Sequence, residues 1–144
     1  MKKLLILSTL FIVSTVNALV INNQTAVSQP AAIYKAGELD RSFGIGGKAI
    51  TSISSGQDYI AGIKLQSDGK IVAAGYSDNG TDNDFAVVRY NSDGSLDSSF
   101  GTGGKVTTAV GSGSDQIYGV ALQSDGKIVV VGYSNDGTDK FATV

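Results

Sequence analysis

The side chains best placed to do chemistry are the oxygen-bearing ones of Asp78-Asn79-Gly80-Thr81-Asp82-Asn83-Asp84, partly repeated by Asn135, Asp136 and Asp139. Calcium takes about six to eight such oxygens, so the loop is a candidate cation site. The spacing, however, is not the calcium-loop pattern Asp-x-[Asp/Asn]-x-[Asp/Asn]-Gly. In the second copy Lys140 stands where Asp84 stands in the first. Asp, Asn and Gly are also what a hairpin loop needs for its own backbone. A turn without metal is therefore the expectation, with a calcium-dependent surface or adhesion module as the alternative.

Gly44-x-Gly46-Gly47-Lys48 and Gly101-x-Gly103-Gly104-Lys105 invite a phosphate-loop comparison. That loop needs an earlier Gly where Ser42 and Ser99 stand, and Ser or Thr after the Lys, where Ala49 and Val106 stand. It must also open a helix, whose N-terminus faces the anion; here each run leads into a strand-like segment. A tight turn is the better account. Acid–base chemistry fares no better. The chain has no His and no Cys, which removes imidazole bases, the commonest metal ligand and the thiol nucleophile. Glu38 is the only Glu, and most Asp residues recur at turn positions, whereas a catalytic pair would stand at one unique place. Arg89-Tyr90 could stack against a ligand but is expected to finish a strand. No catalytic, cofactor-binding or metal residue is assigned, and no enzyme activity is expected.

The elements that would position these residues are set by a repeat. Leu65-Gln66-Ser67-Asp68-Gly69-Lys70-Ile71-Val72 returns unchanged as Leu122 to Val129, 57 residues on. Aligning 37–82 with 94–139 gives about 29 identities in 46 positions. Repeat 1 occupies 37–93 and repeat 2 occupies 94–144. Each opens on Leu-Asp-x-Ser-Phe-Gly, predicted as a single helical turn in which Asp40 or Asp97 takes the free amides and Gly44 or Gly101 ends it left-handed. Short strands are predicted at Ala49–Ile53 and Val106–Val110. The hairpin strands are Tyr59–Gln66 and Lys70–Ser77, joined through a Ser-Asp-Gly corner, and Asp84–Asn91 is the fourth strand. The second copy reaches Val144 inside its last strand.

A sheet with one wet face alternates apolar and polar residues. These strands do not: Val72, Ala74 and Tyr76 oppose Ile71, Ala73 and Gly75, and Ile60 and Gly62 oppose Ala61, Ile63 and Leu65. A small antiparallel sheet apolar on both faces must lie between neighbours, as propeller blades do. The expected fold is all-β, with two four-stranded antiparallel propeller-like blades, the second truncated. Leu-Asp-x-Ser-Phe-Gly, Gly-Gly-Lys, Leu-Gln-Ser-Asp-Gly-Lys-Ile-Val, Gly-Tyr-Ser and Phe-Ala-Val-Val-Arg-Tyr-Asn-Ser-Asp-Gly, in this order, resemble the delta-60 repeat. The resemblance covers 37–144 and implies tandem β-propeller-like repeats of exported bacterial proteins. It brings no catalytic set with it.

Ahead of the repeats, Met1-Lys2-Lys3, the apolar run Leu4–Val16 and Val16-Asn17-Ala18 supply the three parts of a secretory signal over 1–18, followed by a linker at 19–36. About 13 apolar residues are too few to span a bilayer, which needs roughly 20. Cleavage after Ala18 and a secreted, periplasmic or cell-surface location are expected. The formal charge is −2, and Lys2 and Lys3 leave with the signal, so the mature chain is acidic. No nucleic-acid partner is expected, nor a membrane after cleavage. A row such as Val129, Val131 and Tyr133 left in water predicts a partner, because each such side chain gains roughly 1.5 to 3 kcal/mol on burial. That partner is a protein, several copies of the chain, or further repeats of a longer array, the last being favoured. The function expected is a non-catalytic repeat module for structure or for protein or ligand interaction.

Overall fold

The computed structural model describes residues 36–144 throughout, together with the backbone of 20–21 and 24–25. The predicted signal segment 1–18 lies outside the described residues. The chain divides into two units, Met1–Glu38 and Leu39–Val144. In the first, β1 (Val20–Ile21) pairs antiparallel with β2 (Gln24–Thr25).

The second unit holds two antiparallel sheets. One is ordered β3 (Asp58–Leu65), β4 (Ile71–Asp78), β5 (Asn83–Tyr90) and β6 (Lys105–Thr108). The other is ordered β7 (Asp115–Leu122), β8 (Ile128–Asn135) and β9 (Asp139–Thr143). The hairpin corner is built as its residues dictate. Asp68 Oδ1 accepts the Lys70 amide at 3.1 Å, Gly69 lies at φ +83°, and Gln66 N–H donates to Lys70 O at 2.8 Å. Gln123 to Lys127 reproduce all three features. The Leu-Asp-x-Ser-Phe-Gly segments form turns, with Gly44 and Gly101 left-handed at φ +55° and +51°.

Two features differ from the expectation. Ala49–Ile53 is not a strand; Ala49 and Ile53 instead pack on the reverse face of the first sheet, against Ala73, Val88 and Tyr90. Its counterpart β6 is a strand because it has a partner, β5 of the preceding repeat, in the register Val88↔Lys105, Val87↔Val106, Ala86↔Thr107 and Phe85↔Thr108. The fourth strand of a sheet thus comes from the following repeat. Among the described residues Ala49–Ile53 pairs with no strand, and without a neighbouring strand an extended segment lacks its ladder of hydrogen bonds.

The second difference is a β-bulge between Ile60 and Gly62, repeated between Ile117 and Gly119. A bulge slips the alternation by one residue. Ile60 lies opposite Gly75 and Ile63 opposite Ala73, so these two isoleucines share a face instead of standing on opposite ones. Opposite each bulge the backbones come so close that a Cβ on Gly75 or Gly132 would meet the carbonyl of Tyr59 or Gln116.

The main core lies between the sheets. Ala74 and Phe85 of the first meet Ile117, Val130 and Ala142 of the second. Strands β4 and β5 are buried on both faces, as a sandwiched blade requires: Val72, Ala73 and Ala74 are all buried, as are Phe85, Ala86 and Val88. Strand β3 is the exception, with Tyr59, Ile60, Ile63 and Leu65 all exposed.

Candidate functional site

Four side-chain oxygens of the oxygen-rich loop accept from the loop's own donors. Asp78 Oδ1 accepts the Gly80 amide at 2.7 Å, and Asn79 Oδ1 accepts the amides of Thr81 and Asp82 at 2.9 and 3.2 Å. Asn79 Nδ2 donates to Asp82 Oδ1 at 2.8 Å and to Asp84 Oδ2 at 2.9 Å. In the second copy Asn135 does the same work, donating to Asp139 and accepting from Gly137, while the Lys140 ammonium sits on Asp136 and holds its carboxyl below the ordinary range. Among the described residues, no three acidic side chains are grouped so as to hold a metal ion.

The glycine runs are equally self-contained. Gly47 and Gly104 N–H donate to Phe43 and Phe100 O, both at 2.9 Å, and Ile45 and Thr102 N–H donate to the Lys48 and Lys105 carbonyls. These amides close turns and do not converge on a common point where an anion could sit. Lys105 Nζ donates to Ser52 O at 3.0 Å.

Arg89 and Tyr90 part company. Arg89 Nε donates to Asp97 Oδ2 at 2.8 Å, and the guanidinium lies 4.6 Å from the Phe100 ring centre. Asp97 is buried, and its Oδ1 accepts the Ser99 hydroxyl and amide at 2.6 and 3.1 Å. The Ser99 hydroxyl, its amide and the Arg89 guanidinium hold the Asp97 carboxyl below its ordinary value, against an opposing push from burial. This cluster therefore ties the Leu96–Gly101 turn of repeat 2 to β5 of repeat 1. Tyr90 turns to the other face and donates its hydroxyl to Thr51 Oγ1 at 2.8 Å.

Sequence reading missed Asp115 and its counterpart Asp58. Asp115 is fully buried, and its Oδ2 accepts the amides of Val110 and Gly111 at 2.6 and 3.1 Å. Asp58 Oδ2 accepts the Ile53 amide at 3.0 Å. The signal was present: Asp recurs 57 residues apart, at the first residue of β3 and of β7. Both act as clasps on the preceding turn.

A groove of about 400 Å³ opens between the sheets, walled by Phe85, Val87, Val106, Ile128, Val130 and Val144. Its lining includes Arg89 and Lys127 but no Asp or Glu side chain to pair with them. Two tyrosine pairs bridge β3 to β4 and β7 to β8, with Tyr59 stacked on Tyr76 at 5.1 Å and Tyr118 tilted over Tyr133 at 5.6 Å.

The surface itself carries the clearest functional mark. Residues at one position of the repeat have opposite burial in the two sheets. Phe85 is 2% exposed and its counterpart Phe141 is 105% exposed. Ile117 is 1% exposed and Ile60 60%; Ala74 is 1% exposed and Val131 47%. The expected row is open in part, with Val131 exposed and Val129 and Tyr133 half-buried. Each sheet is covered on the side facing the other and has exposed apolar residues on its far side.

Stacked antiparallel sheets, the first of them completed by a strand from the next repeat, define a β-propeller-type repeat protein. A family model described as a domain of unknown function (DUF5122), beta-propeller, matches residues 66–100 and 123–144. The two matches begin at Gln66 and Gln123, the same point of the 57-residue repeat, and the first runs across the repeat boundary into the Leu-Asp-x-Ser-Phe turn. No curated protein and no solved structure matches the chain.

Proposed function

We propose that the chain is an exported, non-catalytic module of the delta-60 kind, working within an array of propeller blades for structure or for interaction with a protein or ligand. The observation that carries this reading is the opposed burial of Phe85 and Phe141 and of Ile117 and Ile60. Side chains of one design are core where a neighbouring blade lies beside them and bare where none does. The absence of His and Cys, and the engagement of four side-chain oxygens of Asp78–Asp84 by the loop's own donors, support a role without chemistry. Export rests on the charged, apolar and small-residue order of Met1–Ala18. N-terminal sequencing of the chain from the host's extracellular or periplasmic fraction is the test. The expected first residue is Leu19; an intact Met1 on a soluble cytoplasmic product would overturn the reading.

A further inference from the structure

We infer that the two open faces fit one another, so that the partner of this chain is a second copy bound head to tail. This deepens the reading of the chain as a module in an array and rests on it. The structure contains its own template for the contact. Within the chain, the forward face of the first sheet, with Ala74 and Phe85, receives the rear face of the second, with Ile117, Val130 and Ala142. The exposed forward face of the second sheet carries Val131 and Phe141 at the positions of Ala74 and Phe85. The rear face of the first sheet carries Ile60, Ala73 and Ala86 at the positions of Ile117, Val130 and Ala142. Donor and acceptor of the covered interface are therefore both present again with matching chemistry: Val131, Phe141 and Ile60 are bare, while Ala73 and Ala86 are buried, Ala73 beneath Ala49 and Ile53 of the segment that corresponds to β6.

The backbone agrees with the side chains. Strand β9 is an edge strand of its sheet, and its counterpart β5 is the one that β6 completes. Residues 48–51 are the repeat counterparts of β6, and the amides of Ala49 to Ser52 donate to no backbone carbonyl among the described residues. One copy thus offers an unpaired edge, and the other offers the strand that fits it. Transferring the β5–β6 register through the repeat places Val144 opposite Lys48, Thr143 opposite Ala49, Ala142 opposite Ile50 and Phe141 opposite Thr51 of the second copy. The contact is heterologous, joining different patches on the two copies, so it propagates to a closed ring or an open string.

Arg89 N–H donates to Gly104 O, so the next pair, Val88 with Lys105, is of the non-hydrogen-bonded kind, whose side chains lie close. Val144 and Lys48 inherit that geometry, which suits a disulfide. The chain has no Cys of its own to interfere. Full-length Val144→Cys and Lys48→Cys chains, mixed and oxidised, are expected to give a cross-linked species of twice the chain mass. It should form in several-fold excess over either variant alone and vanish on reduction. Val144→Cys mixed with Ser52→Cys, four residues out of register, is expected to stay at background.

A second variant guards against a trivial result. Phe141 is wholly exposed and supports no packing within its own chain, so Phe141→Glu is expected to keep the β-type circular dichroism while shifting sedimentation from assembly to monomer. Equal cross-linking of the out-of-register pair overturns the proposal. So does association that survives Phe141→Glu, which would point to the apolar N-terminal run, and so does a wild-type monomer at every concentration. A monomer that is nevertheless exported and begins at Leu19 sinks the self-pairing and leaves the module reading standing. A cytoplasmic chain that cross-links in register does the reverse.

Discussion

Asp97 shows how a residue that looks like a turn former holds two repeats together. Its carboxylate accepts from the Ser99 hydroxyl, from the Ser99 amide and from Arg89, so it is easier to ionise in the folded chain than in the unfolded one. Asp68, Asp93, Asp125 and Asp136 are shifted the same way by hydrogen bonds from neighbouring turn residues, chiefly a Lys or Ser two to four positions on. A group whose folded pKa lies below its unfolded value contributes stability that is present above the unfolded value. That contribution drains away as pH falls through the folded one. Stability measured by denaturant titration is therefore expected to be flat above about pH 5 and to fall below about pH 4, as paired carboxylates protonate. Asp97→Asn should lower stability at neutral pH and flatten part of that acid slope; an unchanged slope would show that Asp97 is not one of the titrating groups. The role of Asp97 as a turn capper was legible from Leu-Asp-x-Ser-Phe-Gly, but the Arg89 partner was not. That partner comes from the preceding repeat and meets Asp97 only once β6 has docked beside β5.

At the scale of elements, the hairpins were readable because their determinants are local. Asp68 and Gly69 shape the corner without help from the rest of the chain. Strand ends fell within a residue or two for the same reason. Two other features were hidden. The bulge at Ala61 and Tyr118 needs two backbones to be compared, and no single-strand period shows it. Nor does a strand's own sequence reveal whether a partner lies beside it: Ala49–Ile53 and Val106–Val110 read alike, yet only the second region forms a strand. The bulge also makes a strong prediction. A methyl on Gly132 would drive into the Gln116 carbonyl, which is backbone and cannot swing away. Gly132→Ala is expected to destabilise the fold by about 1–3 kcal/mol, the range typical of overpacking a close-packed site. Gly126→Ala, at a left-handed position with open space around it, is expected to lose less, about 1 kcal/mol, from backbone strain alone. Equal losses in thermal or urea unfolding would show that the close approach at the bulge is not a real constraint.

For the whole molecule, the balance between covered and bare apolar surface governs behaviour. Calcium has no part in that balance if the Asp78–Asp84 loop is only a turn. Millimolar calcium is therefore expected to leave Tm unchanged. An ion bound at a hundredfold excess over its Kd would add about 2.7 kcal/mol and raise Tm by several degrees. Such a rise would restore the calcium-dependent surface module as the better account. The propeller-type fold was legible at this scale because strands apolar on both sides leave few other architectures. Which faces would stay bare was not legible, since one motif reads the same whether or not a neighbour covers it.

The loan of β6 from repeat 2 to the sheet of repeat 1 also governs how a gene for such a protein can grow. Duplicating one 57-residue unit adds a lender and a borrower together. Every such array, short or long, therefore carries one lender at its front and one borrower at its rear that no unit of its own interior serves. Copy number can then drift without any new type of contact being invented. The same loan sets an order during synthesis on the ribosome: the first sheet cannot be finished until Thr108 has emerged, well after repeat 2 has begun.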